Sequence, residues 1–112
     1  MAAYVELYMD QGATFNNTIN LTDDLTNAKV NIYGYTVRSQ MRRSYYSTSP
    51  SANIVCTITD AANGAVLMSM TAANTSSIRP GRYLFDVETV DTNGVTSRIL
   101  EGIITVTPEV TR

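Results

Sequence analysis

Two carboxylates in one short segment are the first candidates for chemistry in this sequence. Asp86 and Glu88 lie within residues 82–88, where apolar and polar residues alternate, so both point to the same face of a strand. A carboxylate pair performs acid–base catalysis when a cleft shifts their pKa values. On an open sheet such a pair is solvated or binds a cation from a neighbouring strand, and Arg98 is the expected partner. Of these two alternatives we expect the second.

A turn with residue types that also bind calcium follows this strand. Asp91, Asn93 and Gly94 match the start of a calcium loop, but the later Glu of an EF-hand loop is missing. The same residue types favour tight turns without any metal, so we expect a hairpin turn. Asp23 and Asp24 are interpreted in the same way. We therefore predict no metal and no cofactor.

The composition excludes several classes of site. The 112 residues include no His, which removes Ser-His-Asp triads and most zinc sites. Cys56 is the single cysteine, so an internal disulfide is impossible and a buried, inert thiol is expected. The net charge of −2 argues against a nucleic-acid-binding protein. We predict that the protein is not an enzyme and binds no nucleic acid.

One segment has the composition of a binding surface. Arg42, Arg43, Tyr45 and Tyr46 are nearly contiguous, and Tyr and Arg are enriched at the energetic centres of protein interfaces. The same residues can stack on bases and contact phosphates. A polar loop with incidental tyrosines is the third alternative. We expect a protein–protein interface and leave the other two alternatives open.

The strand that carries the carboxylates is predicted to be central. Pro80-Gly81 marks a turn, after which Tyr83, Phe85 and Val87 occupy every second position. In immunoglobulin-like sandwiches a Tyr near such a strand start donates its hydroxyl to the backbone upstream, an arrangement called the tyrosine corner. We expect the same of Tyr83.

Further segments with period-two alternation predict the rest of the sheet. These segments are 4–9, 14–21, 30–32, 35–41, 53–59, 66–70 and one or two strands over 95–107. The sequence also predicts a hairpin turn at 60–64, a helical turn at 71–77 capped by Thr71, and a bulge or bend at Gly102.

About seven to eight short strands predict an all-β fold. The long connections at 22–34 and 43–51 favour an immunoglobulin-like Greek-key sandwich over a barrel. We expect a single domain over 1–112, with 1–11 as a possible N-terminal strand or arm. The predicted core consists of Phe15, Ile19, Val37, Met41, Ile54, Ile58, Met68, Tyr83, Phe85 and Val87.

No membrane span or secretion signal is predicted. The longest apolar runs fall far short of the roughly 20 residues that cross a bilayer. Residues 1–6 lack the basic and apolar regions of a signal peptide, so we expect synthesis and assembly in a cytoplasm.

Several motifs, in this order and spacing, resemble a known family. They are Gly12-Ala13-Thr14-Phe15, the stretch from Leu21 to Leu25, Gly34-Tyr35-Thr36-Val37-Arg38-Ser39-Gln40-Met41-Arg42, a hairpin turn with Gly64, Pro80-Gly81-Arg82-Tyr83, Asp86-Val87-Glu88, Glu101-Gly102 and residues 105–111. Over residues 12–112 the chain resembles the small immunoglobulin-like β-sandwich virion proteins of tailed bacteriophages, and related N-terminal domains of baseplate upper proteins. Residues 44–50 are more aromatic than is typical of that family.

The resemblance implies a structural role. It implies a non-enzymatic component of the virion, in the tail, baseplate or neck, present as a homo-oligomer or in many copies and bound to other phage structural proteins. It brings no catalytic residues. The alternative is a carbohydrate- or receptor-binding module, with Tyr8, Tyr33, Tyr45 and Tyr46 as its aromatic platform.

Overall fold

Strands make up most of the described part of the chain. The computed structural model describes residues 3–21, 30–44 and 51–110. Helical structure there consists of one 3-10 turn, Ala61–Asn63, and one short helix, α1, Ala72–Ser76. The strands are β1 Ala3–Asp10, β2 Phe15–Asn20, β3 Thr36–Arg42, β4 Ala52–Asp60, β5 Ala65–Met70, β6 Gly81–Val90 and β7 Thr96–Thr107. Within these ranges no helix has the length and apolar character needed to traverse a bilayer.

The strands form a single barrel-like sheet with β1 and β2 at its two edges. The order is β1-β7-β6-β3-β4-β5-β2, so the prediction of an all-β protein is confirmed. Neighbouring strands are antiparallel except for β1, which pairs in parallel with β7. Strand β4 pairs with two neighbours in succession, β3 through residues 52–54 and β5 through residues 55–60.

The predicted central strand is confirmed as β6. Tyr83, Phe85 and Val87 point inward and are at most 4% exposed, because every second side chain of a strand faces the same side. The hydroxyl of Tyr83 donates a 2.5 Å hydrogen bond to the carbonyl oxygen of Arg79. The expected return of this hydroxyl to the upstream backbone is therefore confirmed.

The irregularity predicted at Gly102 lies three residues earlier. The register of β6 against β7 shifts between Val87, opposite Leu100, and Glu88, opposite Arg98, so that one extra residue of β7 is accommodated there. Glycine is required at position 102 for a reason other than a bulge. It faces β1, and a Cβ atom at this position would overlap the carbonyl oxygen of Val5.

The predicted turns and helix cap are confirmed. Gly64 closes the connection between β4 and β5 with a φ of 69°, a conformation that glycine adopts without strain. The Thr71 side chain accepts a 3.2 Å hydrogen bond from the backbone N–H of Asn74 and so caps α1.

The brief strand predicted over 30–32 is wrong. Residues 30–32 adopt no strand, although Ile32 is fully buried and its N–H donates a 2.8 Å hydrogen bond to the carbonyl of Ala61. The segment therefore contributes a core side chain from irregular backbone. Periodicity cannot identify such a segment, because it reports only on regular elements.

Seven of the ten predicted core residues are buried. Ile19, Val37 and Ile58 are only half-buried; Ile19 lies on edge strand β2, while Val37 and Ile58 lie towards the ends of β3 and β4. Apolar side chains at such positions have fewer covering neighbours than those in central strands. The core also contains residues outside the prediction: Met9, Ile32, Val66, Met70, Ile78, Leu100, Ile104 and Val106.

Candidate interaction surface

The outward-facing side of β1, β7, β6 and β3 forms one continuous surface. The strand registers align its residues in rows across the sheet. One row consists of Tyr8, Thr105 and Arg82, and the next of Glu6, Ile103, Leu84 and Arg42. We use the term tyrosine–arginine face for Tyr8, Arg42, Arg43, Arg82, Leu84 and Ile103.

Apolar side chains lie at the centre of this face. Leu84 and Ile103 are half-buried and oppose each other across β6 and β7. Together with Arg43, Ser44 and Arg82, among others, they line a shallow groove of about 270 Å³. Tyr8, which is 69% exposed, lies at the β1 edge. An apolar centre bordered by Arg and Tyr is typical of a protein-binding surface.

The structure places Arg42 in an outward row of this face, and Arg43 borders the groove at the end of the sheet. Arg43 extends over the ring of Tyr83, with its guanidinium carbon 5.1 Å from the ring centre, a cation–π distance. Arg42 donates a 3.0 Å hydrogen bond to the side-chain oxygen of Gln40. Tyr45 and Tyr46 lie outside the described residues. The interface role of all four residues remains a prediction, and Arg43 has in addition a contact within its own chain.

Paired charges occupy the other half of the same surface. The Nε atom of Arg98 lies 3.4 Å from a carboxylate oxygen of Asp86, and its Nη1 atom lies 3.3 Å from Glu101. Arg38 forms a 3.0 Å ion pair with Glu88. The predicted Asp86–Arg98 pair is therefore confirmed, and Glu88 has a cation from the opposite neighbouring strand.

Asp86 is nevertheless in an unfavourable environment for its charge. Burial is the main cause that raises the pKa of its carboxyl group, and the negative charge of Glu88 raises it further, while Arg98 opposes both effects. Asp86, Glu88 and Glu101 line a groove of about 290 Å³. The ion pairs of Asp86 and Glu88 fit the expectation of a charged sheet face with cross-strand partners.

The acidic residue of the turn after β6, Asp91, bonds to the backbone of the turn. One carboxylate oxygen of Asp91 accepts hydrogen bonds of 2.9 Å from the N–H groups of both Asn93 and Val95. This geometry explains the residue types without a metal. Within 3–21, 30–44 and 51–110, no group of three or more metal-ligating side chains is close enough to hold an ion.

Cys56 lies on β4, where burial raises the pKa of its thiol to about 11. Its sulfur lies 3.8 Å from the carbonyl oxygen of Ile54. Because the thiolate is the reactive form, such a thiol is nearly inert at neutral pH.

Two tyrosines of the predicted aromatic platform, Tyr8 and Tyr33, lie far apart. Tyr33 is 81% exposed and lies shortly before β3. The first residue of β3, Thr36, is opposite Val90 at one end of β6. Tyr8 lies in the row of Arg82, near the other end of β6. Eight strand residues separate the two rows, or roughly 26 Å. Tyr8 and Tyr33 therefore do not form one aromatic platform.

The apolar centre of the face was missed by the sequence reasoning. Leu84 occupies an outward position between Tyr83 and Phe85, whose side chains point inward, and Ile103 is adjacent to Ile104. Because neighbouring strand residues point to opposite faces, one of the two isoleucines had to face outward. That signal was present in the sequence.

Comparisons with known proteins bear on the fold alone. No protein-family model matches the chain, and no curated protein matches its sequence. Among solved structures the chain is similar to the Listeria monocytogenes internalin-like protein lmo2027, with a TM-score of 0.51 and 22% sequence identity over 95% of this chain. The chain spans 28% of the length of that protein. At this level of identity the likeness shows a shared β-rich fold.

Proposed function

We propose that the protein is a non-enzymatic structural component of a tailed-phage virion, in the tail, baseplate or neck. It docks to neighbouring phage subunits through the tyrosine–arginine face and acts in many copies within the particle. The virion is its final location, after assembly in the host cytoplasm. The observation that carries the docking role is the row of Ile103, Leu84 and Arg42, with Tyr8 beside it.

The composition of the face supports docking to protein. Leu84 and Ile103 offer apolar area that a partner can cover, and Tyr8 offers a large amphipathic ring with few rotatable bonds. Arg42 and Arg82 border the apolar centre and supply planar donors for carboxylates or carbonyls. The virion assignment itself rests on the family resemblance of residues 12–112.

The fold proposed for this role is an immunoglobulin-like Greek-key sandwich. In this interpretation β1, β7, β6, β3 and the start of β4 form one layer, and the end of β4 with β5 and β2 forms the other. The two successive pairings of β4 support this division, because strands that change sheets form the corners of sandwiches. The hydrogen bond from Tyr83 to Arg79 also supports it.

A carbohydrate- or receptor-binding module is the second candidate. The observation that favours it is Tyr33, which is 81% exposed in the turn before β3. A single exposed ring offers a stacking surface for a sugar, but Tyr8 lies too far away to share it. A glycan array of the purified protein tests this candidate.

Particle incorporation tests the structural role. Tyr8→Ser should weaken incorporation into particles by at least about tenfold, because hot-spot side chains contribute about 2 kcal/mol or more. The melting curve should barely change, since the ring is 69% exposed. Tyr33→Ser is the matched control and should incorporate normally. Tyr45 and Tyr46 are tested as a double serine variant in the same assay. Normal incorporation of the Tyr8 variant would contradict the proposed face, and normal incorporation of the double variant would contradict the interface role predicted for Tyr45 and Tyr46.

A further inference from the structure

The two edge strands leave an open groove, which we call the seam. Strands β1 and β2 occupy opposite ends of the sheet order and are joined by residues 11–14. We infer that the seam binds an extended segment of a partner protein, added as a strand along β1, in which apolar residues alternate with Lys or Arg. The seam is a docking site in addition to the tyrosine–arginine face, and the inference rests on the proposed function only in that its partner is a protein.

Among the described residues, the seam-facing edges of β1 and β2 have no strand partner. β1 pairs with β7 on one side, β2 pairs with β5 on one side, and within the described residues the two edges do not pair with each other. An edge strand presents a row of unpaired N–H and C=O groups that an extended chain can bond. With eight residues against six, β1 offers the longer edge.

The seam has the dimensions of a peptide site. A groove of about 360 Å³ lies between the two edges and is lined by residues of both. Leu7 of β1 is half-buried there, and Phe15 of β2 borders it. Because alternate residues of an added strand face inward, small apolar side chains at those positions would cover Leu7 and Val5.

One half-buried polar side chain in the groove has no hydrogen-bond partner among the residues that the structure describes. Asn17 occupies an inward position of β2 between Phe15 and Ile19 and is half-buried. Its side chain makes no hydrogen bond with any other residue that the structure describes. An amide in this place can bond to the backbone of an added strand, because it carries both donors and an acceptor.

The charges of the seam define the outward side chains of the partner. Glu6 and Asp10 line the groove, and in the described part of the chain neither carboxylate has a cation within ion-pair distance. Four residues of one strand separate them, about 13 Å. Lys or Arg at positions i and i+4 of an added strand matches this spacing.

The same charges disfavour a second copy of this chain as the occupant. A second β1 would bring another Glu6 and Asp10 to the seam. A second β2 presents Asn16, Thr18 and Asn20 outward and supplies no cation. Charge complementarity therefore favours a different, basic segment.

A short peptide tests the inference on the purified full-length chain. The probe is a fluorescent acetyl-Thr-Lys-Val-Thr-Val-Lys-Thr-amide, followed by fluorescence polarisation. We expect saturable binding that weakens about two- to fivefold for each of Glu6→Gln and Asp10→Asn, the range of exposed ion pairs. Glu101→Gln, on the same sheet but outside the seam, is the control and should leave binding unchanged. A charge-reversed chain, Glu6→Lys with Asp10→Lys, should prefer the peptide in which Glu replaces Lys.

Backbone methylation separates strand addition from simple charge attraction. One peptide is N-methylated at both valines and another at both lysines. Along an edge the N–H groups alternate in direction, so one methylated peptide should bind as the parent does and the other should lose at least tenfold. Equal binding of both methylated peptides would overturn strand addition.

Two other results would also overturn the inference. One is failure of the parent peptide to bind at millimolar concentration, and the other is concentration-dependent dimerisation of the chain that the peptide competes with, which would make a second copy the occupant. Tyr8 also lines the seam groove, so Arg82→Ser, which lies on the docking face and outside the seam, is measured in the same incorporation assay. Peptide binding combined with normal particle incorporation of both Arg82→Ser and Tyr8→Ser would reject the proposed docking face and retain the seam. The two proposals therefore fail independently.

Discussion

The hydroxyl of Tyr83 donates a 2.5 Å hydrogen bond to the backbone carbonyl of Arg79, across the turn that leads into β6. The ring itself is 4% exposed and also carries the guanidinium of Arg43 above it. Tyr83 therefore makes two contacts. Its hydroxyl bonds to the turn that leads into β6, and its ring packs against Arg43 of the tyrosine–arginine face.

Removal of this hydroxyl should cost a measurable part of the stability. Tyr83→Phe keeps the ring and leaves the Arg79 carbonyl without its donor, so we expect the free energy of unfolding to fall by about 0.5–1.5 kcal/mol. Urea denaturation measures the change. Tyr8→Phe is the control, since that hydroxyl lies on an exposed side chain. Equal effects of the two variants would contradict the assigned role of Tyr83.

Gly102 should tolerate no side chain. Gly102→Ala places a methyl group against the Val5 carbonyl. This overlap is relieved only if β1 moves away from β7 or if both strands become strained. We expect a loss of about 1–3 kcal/mol, the range of overpacked sites. Hydrogen exchange should show that amides of β1 lose protection first. Thr105→Ala, at an outward position of the same strand, serves as control. An unchanged unfolding curve would mean that β1 does not pair with β7 in solution.

Phe85 tests the register of the central strand. It is 4% exposed within the core cluster, so Phe85→Ala should lower the free energy of unfolding by about 3–5 kcal/mol through lost burial and a cavity. Chemical denaturation of the variant is the measurement. A loss below about 1 kcal/mol, which is typical of exposed sites, would show that the side chain faces solvent.

The Asp91 turn should be independent of calcium. Its carboxylate accepts two backbone hydrogen bonds, so Asp91→Ala should cost about 1–3 kcal/mol, while Asp91→Asn should retain most of the stability. Calcium or a chelator should leave the melting temperature of the wild-type protein unchanged. A rise in melting temperature with calcium, abolished by Asp91→Asn, would identify a calcium site instead.

The stability contributed at Asp86 should depend on pH with a defined sign. Because the pKa of Asp86 is raised in the folded protein, the folded state takes up a proton before the unfolded state as the pH falls. The ionised carboxyl is therefore unfavourable at neutral pH. The loss of stability caused by the ionised carboxyl disappears as the pH falls from the raised pKa of Asp86 in the folded protein to below its ordinary pKa of 3.8.

Asp86→Asn removes that ionisation. The variant should be at least as stable as the wild type at pH 7, and its advantage should shrink as the pH falls through this window. Urea denaturation at several pH values measures the difference. A variant that is less stable at pH 7 and recovers in acid would show that the Arg98 pair outweighs burial.

The sequence by itself determined the regular part of the fold. Alternation along β6 and β3 identified the inward residues Tyr83, Phe85 and Met41, since a strand places every second side chain on one face. Turn residues such as Gly64, and the cap at Thr71, were identified because their roles depend only on local backbone geometry.

The tertiary structure decided what depends on distant segments. The parallel pairing of β1 with β7 explains Gly102 through its contact with Val5, which no local pattern contains. Ile32 is buried from irregular backbone. The tyrosine–arginine face and the seam also arise from strand order, because registers between distant strands bring their residues together. Local propensity acts within a few residues, whereas strand order is set by which apolar faces can be buried together.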